Sequence, residues 1–293
     1  MNAGLISNKA SCSRRSGELN NRKFILCIGA SKSGSTWFYH FLKNQPNFSA
    51  GIRKEYNALN KIFLTKHISI TPPMIKELSS LGKKISKLKE TLDFMSSSVE
   101  KYCEYFDQIT LHGGFSADIS PSYIGLSNEH INEVAIKLEE RGFQVYVVLL
   151  LRDPISRIYS FSKMILRNKY LRDYFCVSQS ATLNDVALDL AHHREFNSDY
   201  KAVIKNIINT RTEIKKFIYP YENLISAAGV EALSLDLNLE PLPDFEKKIF
   251  NQGRNLRDEK IELDQTYLRL LLNEQYIYCK NYFKPKDMNW KFL

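Results

Sequence analysis

The sequence predicts an α/β protein, a parallel β-sheet flanked by helices. Three observations carry this. Lys23–Ile28 (KFILCI) and Val145–Leu151 (VYVVLLL) are short, largely apolar runs of the kind buried on both faces of a parallel sheet. Each is followed by a turn and then a helical pattern, the first through Gly29–Thr36 (GASKSGST), the second through Arg152-Asp153-Pro154. Strand and helix patterns then keep alternating along the chain, which is how a parallel sheet acquires helices on both faces.

The elements follow in order. Residues 1–22 are polar and without periodicity and are expected to form a flexible arm, leaving 23–293 as one domain. The strand Lys23–Ile28 leads through the glycine loop into a helix from Trp37 to Lys43, stopped near Asn44-Gln45-Pro46. Residues 74–108 place Ile, Leu, Phe and Met at helical spacing among many Lys and Ser, which predicts one or two surface helices inserted into the fold. Phe115–Ile119 reads as a short strand before a Ser-Pro-Ser turn. Asn128–Arg141 reads as a helix closed by Gly142, a residue suited to the left-handed position after a helix end. The strand Val145–Leu151 is followed by a helix with Pro154 near its first position, running to about Lys169. Helices are expected at about 182–192 and 197–210, a strand over Glu213–Tyr219, a helix over Tyr221–Leu233, a loop over 236–258, and a last helix from Asp258 to Phe283.

Composition narrows the function classes. At 293 residues, 44% hydrophobic and 25% charged, the chain is an ordinary globular sequence, not a low-complexity one. Its longest purely apolar run is Val145–Leu151, far short of the ~20 residues of a membrane helix, so no membrane span is expected. The first twenty residues hold no apolar stretch of signal-peptide length, and a cytoplasmic location is the expectation. Lys and Arg number 41 against 32 Asp and Glu, and the excess of +9 favours an anionic partner: nucleic acid, a phosphorylated cofactor, an acidic glycan or a membrane surface. The five cysteines are scattered, with no C-x-x-C and no Cys/His cluster, so neither a disulfide framework nor a zinc site is indicated.

Chemistry concentrates in the loop Gly29-Ala30-Ser31-Lys32-Ser33-Gly34-Ser35-Thr36. Glycine lets the backbone approach a ligand and adopt positive φ. The N–H groups of residues 33–36 then point outward at a helix N-terminus, where free donors and the helix dipole stabilise an anion. Ser35 and Thr36 add hydroxyls, and Lys32 adds charge. The loop is a phosphate cradle, but not a Walker A loop: G-x-x-x-x-G-K-[ST] puts its lysine after the last glycine, whereas Lys32 stands two positions before Gly34.

The run G-x-x-K-S-G-S-T-W resembles the 5′-phosphosulfate loop of the sulfotransferases that use 3′-phosphoadenosine 5′-phosphosulfate (PAPS). Leu151-Arg152-Asp153-Pro154 through Arg157 to Ser160 resembles the same family's 3′-phosphate motif, L-R-[ND]-P-x-x-R-x-x-S. Weaker matches cover most of the chain. Lys54-Glu55 falls where glycan and many bacterial sulfotransferases have a Lys-Glu pair. Asp118-Ile119-Ser120-Pro121-Ser122-Tyr123 is similar to their E-K-S-P-x-Y segment. Asn251–Arg254 is similar to a late loop closing over the cofactor. Asp118 and Ile119 replace Glu and Lys of that middle segment. The K-T-H-L-P segment of the cytosolic small-molecule enzymes is missing, and His40, His112, His192 and His193 have no such context.

The resemblance implies the P-loop NTPase-like sulfotransferase fold and transfer of a sulfuryl group from PAPS to a hydroxyl or amine, with a carbohydrate as the expected acceptor. It further implies that Lys32, Ser33, Gly34, Ser35 and Thr36 hold the 5′-phosphosulfate, Arg152 and Ser160 the 3′-phosphate, and Gly253 and Arg254 the closing loop. Lys32 would act on the bridging oxygen, with no metal required. Glu55 is the expected base, with Asp118 next in line; its carboxyl would have to be raised by partial burial, which Lys54 opposes. Arg157 is expected to form a structural ion pair. Two rivals stand beside this reading: a P-loop kinase or NTPase, with Asp153 after the apolar strand, and a basic nucleic-acid-binding module, for which no binding motif appears.

Overall fold

Side chains alternate between the faces of a strand. On β1 (Arg22–Gly29), Phe24, Leu26 and Ile28 are buried on one side and Ile25 and Cys27 on the other. Both faces must therefore be covered, and they are. The structure, a computed structural model, describes residues 22–64, 83–192, 199–248, 264–283 and 288–290. It holds five parallel strands in the order β2-β3-β1-β4-β5, where β2 is Phe48–Ser49, β3 Phe115–Ile119, β4 Phe143–Leu151 and β5 Lys215–Pro220. The α/β parallel-sheet class expected from the sequence is the one observed.

The helices are α1 (Ser35–Lys43), α2 (Ala58–Phe63), α3 (Lys83–Met95), α4 (Val99–Ile109), α5 (Asn128–Glu139), α6 (Pro154–Arg167), α7 (Lys169–Tyr174), α8 (Leu183–His192), α9 (Tyr200–Ile208), α10 (Tyr221–Leu224), α11 (Ala227–Asp236), α12 (Gln265–Leu271) and α13 (Asn273–Tyr282). Trp37, Phe38, Phe41 and Leu42 of α1, with Val230 and Leu233 of α11, cover the face bearing Ile25, Cys27, Val148 and Leu150. Helices α4, α5, α6, α8 and α9 cover the face bearing Phe24, Leu26, Val147 and Leu149. So α1, leaving β1, and α6, leaving β4, depart to opposite faces from neighbouring strands. Their divergence opens a crevice at the carboxyl ends of β1 and β4, the place where open α/β sheets bind ligands.

Several boundaries differ from expectation for identifiable reasons. Of the segment 74–108, residues 74–82 lie outside the described residues; the rest holds α3 and α4, and α4 is no surface insertion. Tyr102 and Phe106 are fully buried and meet the Phe24 ring edge-on, with centroids 6.2 and 4.5 Å away. Val99, Tyr102, Cys103 and Phe106 form an apolar stripe; the Lys-rich composition belongs to α3. The helix after Pro154 ends at Arg167 because the Asn168 side chain caps α7, accepting from Leu171 N at 3.2 Å. The expected helix 221–233 is two, because Ser226 caps α11 by accepting from Gly229 N. The last helix is likewise divided, at Leu272, and its expected start at 258–263 lies outside the described residues. The short edge strand β2 and helix α2 had no counterpart in the sequence reading. Gly142 is left-handed, at φ 81°, as expected, but α5 ends two residues earlier than expected, at Glu139 with Glu140 as its cap.

Candidate active site

The loop leaving β1 is tied to β4 at once: Ala30 N donates to Leu150 O at 2.7 Å. Lys32 has φ 67°, and Gly34, at φ 89°, caps α1 in the left-handed region. A Cβ on Gly34 would lie 2.2 Å from the Tyr221 ring, which closes over the loop from the end of β5. Only glycine fits both constraints. The first N–H groups of a helix have no acceptor within it, so Ser35, Thr36 and Trp37 present donors at the start of α1. Ser33 is fully buried, and its hydroxyl has no hydrogen-bond partner in the protein.

Three cations converge on this loop. Lys32 is half-buried, and its ammonium is pushed below the ordinary lysine range, first by burial and then by Arg152, Lys54 and Arg167, with Glu55 opposing. Lys54 Nζ donates to Ser35 Oγ at 3.1 Å and Thr36 Oγ1 at 3.3 Å and pairs with Glu55 at 2.7 Å. The Lys54–Glu55 pair is thus packed against the cradle. Arg152 Nη1 donates to the Lys32 carbonyl at 3.1 Å, and the guanidinium lies 5.5 Å from the Tyr221 ring centroid.

Helix α6 faces the loop with one stripe. Arg157, Ser160, Met164 and Arg167 recur at three- and four-residue spacing, which puts them on one side of a helix. Arg157 Nε donates to the Ser31 carbonyl at 3.1 Å, and Met164 Sδ lies 3.9 Å from Lys32 Nζ. Ser160 sits between these two contacts on the same stripe. The Arg157 guanidinium also lies 5.8 Å from the Tyr200 ring centroid.

Behind the cradle stands Asp118, fully buried at the end of β3. It accepts from Ser120 Oγ (2.5 Å), Tyr123 OH (2.7 Å) and Tyr102 OH (3.0 Å), while Ser120 Oγ in turn accepts from Tyr56 N and Asn57 N. Burial pushes its carboxyl up to about 6 against these bonds. With Ile119 N donating to Lys54 O, this cluster fixes the strand end to the segment that carries Lys54 and Glu55. The turn after β4 is fixed similarly. Tyr200 OH donates to Arg152 O at 2.9 Å, Tyr276 OH donates to Asp153 Oδ2 at 3.1 Å, and Trp290 packs on both rings.

Sequence reading placed Lys32, Ser33, Gly34, Ser35, Thr36, Arg152 and Ser160, and the fold brings them to one crevice with Lys54 and Glu55. Gly253, Arg254 and His193 lie outside the described residues. Tyr221, Glu222 and Met164 were missed. A signal for the first two existed, since they leave the carboxyl end of a strand in an open sheet. No protein-family model and no curated protein sequence matches the chain. Among solved structures, the crystal structure of sulfotransferase STF9 from Mycobacterium avium is similar at 11% identity and a TM-score of 0.45, over 93% of this chain and 78% of that one.

Proposed function

We propose that the protein transfers a sulfuryl group from PAPS to a hydroxyl or amine of a carbohydrate acceptor, and that residues 23–293 form the domain that does so. One observation carries the reading: the Arg152 guanidinium donates to the Lys32 carbonyl at 3.1 Å, so two motifs that are 120 residues apart in the chain meet at one crevice. The residues present suit a nucleotide bearing phosphates at both ends. The buried Ser33 hydroxyl and Arg152 Nε have no hydrogen-bond partner in the protein, and leaving such groups unmet costs ~1–3 kcal/mol each.

When bound, PAPS supplies the sulfuryl group and a stable leaving nucleotide. On this reading Gly34, Ser35 and Thr36 hold the 5′-phosphate through backbone donors and hydroxyls, with Lys54 adding charge beside Ser35 and Thr36; Ser33 contributes only its hydroxyl, because its N–H, expected to point outward, donates to the Ala30 carbonyl at 3.2 Å. Lys32, in low-dielectric surroundings, stabilises charge on the departing oxygen. Arg152 and Ser160 hold the 3′-phosphate, Gly253 and Arg254 close over the nucleotide, and Glu55 accepts the acceptor's proton. The exposed, stacked Tyr170 and Tyr174, just past Arg167, offer a sugar-binding platform.

Isothermal titration tests the class. The protein should bind 3′-phosphoadenosine 5′-phosphate in the presence of EDTA. Preference for Mg-ATP would instead mark a kinase, and salt-sensitive RNA or DNA binding without nucleotide binding would mark a nucleic-acid module. A labelled-PAPS transfer screen over glycans, glycolipids and phenols identifies the acceptor; transfer to phenols alone would remove the carbohydrate assignment.

A further inference from the structure

The carboxylate of Glu222 faces the Arg152 guanidinium without satisfying it. Glu222 Oε1 accepts from Asp153 N at 3.2 Å, and that anchor leaves it 3.9 Å from Arg152 Nε, an ion contact but no hydrogen bond. Arg152 Nε and Glu222 Oε2 are both buried and have no hydrogen-bond partner. The Nη1 corner of the guanidinium is already engaged with the Lys32 carbonyl. An arginine presents its donors as a planar fork that takes a phosphate bidentately. Although buried, the edge containing Nε is therefore open in its hydrogen bonding, and the carboxylate beside it is held by the Asp153 amide, not by the guanidinium.

We propose that Glu222 is a specificity-determining residue of the nucleotide site: its carboxylate neutralises Arg152 until a phosphate dianion takes the open edge, whereupon Glu222 accepts one proton from solvent. This rests on the reading of Arg152 as the 3′-phosphate ligand. The step balances as one proton taken from buffer for each phosphate bound at a site whose Glu222 is ionised, with no other bond made or broken. A neutral ribose gains little by displacing a carboxylate from Arg152, whereas a dianion does, so the pair selects for 3′-phosphorylated nucleotides.

The surroundings suit a group that takes up a proton. Burial first, with Asp153 adding to it and Arg152 opposing, raises the Glu222 carboxyl to about 7. Among the described residues, the charged groups facing it are Arg152 and Asp153. The Asp153 carboxylate is itself held by Ser156 N at 2.8 Å and by Tyr276 OH. The adjacent Tyr221 phenol is pushed above its ordinary value by burial.

The test is isothermal titration of the full chain with 3′-phosphoadenosine 5′-phosphate in buffers of differing ionisation enthalpy. With a starting value of about 7, binding should take up about half a proton at pH 7 and nearly one at pH 8. Glu222→Gln keeps the acceptor for Asp153 N and should abolish that uptake, binding about twofold tighter than the parent at pH 7 and about tenfold tighter at pH 8. Adenosine 5′-phosphate, lacking the 3′-phosphate, should show no Glu222-dependent uptake. Equal uptake with both nucleotides overturns the link to the 3′-phosphate. Tight binding with the same proton count in parent and variant overturns the role of Glu222 alone. No binding of the bisphosphate overturns the nucleotide reading together with it. Should the variant not fold, a parent affinity independent of pH between 7 and 8 is itself sufficient to reject the proposal.

Discussion

The Lys32 ammonium carries its charge against burial and three neighbouring cations, Arg152, Lys54 and Arg167, with Glu55 opposing them. Incoming anionic charge relieves that pressure, and most of all the charge that builds on a leaving oxygen. Lys32→Ala should therefore slow transfer by ~10²-fold or more while weakening product-nucleotide binding far less, read from initial rates and titration side by side. Glu55→Gln keeps shape but cannot take a proton, so kcat should fall ~10²–10⁴-fold with nucleotide affinity unchanged; a near-normal kcat would remove Glu55 as base. Asp118 acts on stability instead. Its folded value of about 6 exceeds the unfolded 3.8, so the folded chain retains a proton that the unfolded chain has lost. Its contribution is full below pH ~4 and declines by roughly 3 kcal/mol as pH rises to ~6. Urea midpoints from pH 4 to 7 should show that decline, and Asp118→Asn should flatten it.

The glycine loop and the strand–turn–helix at Arg152 were legible because their chemistry is local: backbone freedom at Gly34, charge at Lys32, a helix start at Pro154. What the sequence hides is contact across elements. Nothing in Lys54-Glu55 announces that Lys54 reaches the hydroxyls of Ser35 and Thr36, and nothing in Asp118 announces its two tyrosines. Helix ends escaped for a related reason. The break at Leu272 falls within a continuous buried spacing of Leu268, Leu272, Tyr276 and Cys279, so the period alone reads through it; those at Asn168 and Ser226 are made by side-chain caps that periodicity does not register. Tyr221 shows the cost of missing a contact between elements, because its ring determines what residue 34 can be. Gly34→Ala meets both a positive φ, worth ~1–2 kcal/mol, and that ring at 2.2 Å. It should weaken binding of 3′-phosphoadenosine 5′-phosphate at least tenfold. Adding Tyr221→Ala should recover part of the loss, since it removes the clash but leaves the backbone strain; full recovery would mean that φ at 34 is unimportant.

Across the whole molecule, the crevice draws on residues from Ala30 to Trp290. Trp290 is 6% exposed and rests on Tyr200 and Tyr276, whose hydroxyls hold the Arg152 carbonyl and the Asp153 carboxylate. Trp290→Ala should lower unfolding free energy by ~3–5 kcal/mol and also weaken bisphosphate binding at temperatures where the variant stays folded. Tyr200→Phe should weaken binding with a smaller stability loss, and unchanged affinity in both would show that the turn holds itself. The central place of β1 has a consequence during synthesis. Its two neighbours, β3 and β4, are made only after residues 115 and 143. At ~5–20 residues per second, Phe24–Ile28 emerges with both edges bare for roughly 5–20 s before either partner exists. An unpaired apolar strand is a template for pairing with another chain, and Arg22-Lys23, at its head, place charge where such a strand needs guarding. Ribosome-bound chains halted before residue 115 should thus be the form most dependent on chaperones, and the strand from which the phosphate loop hangs is the segment they would have to shield.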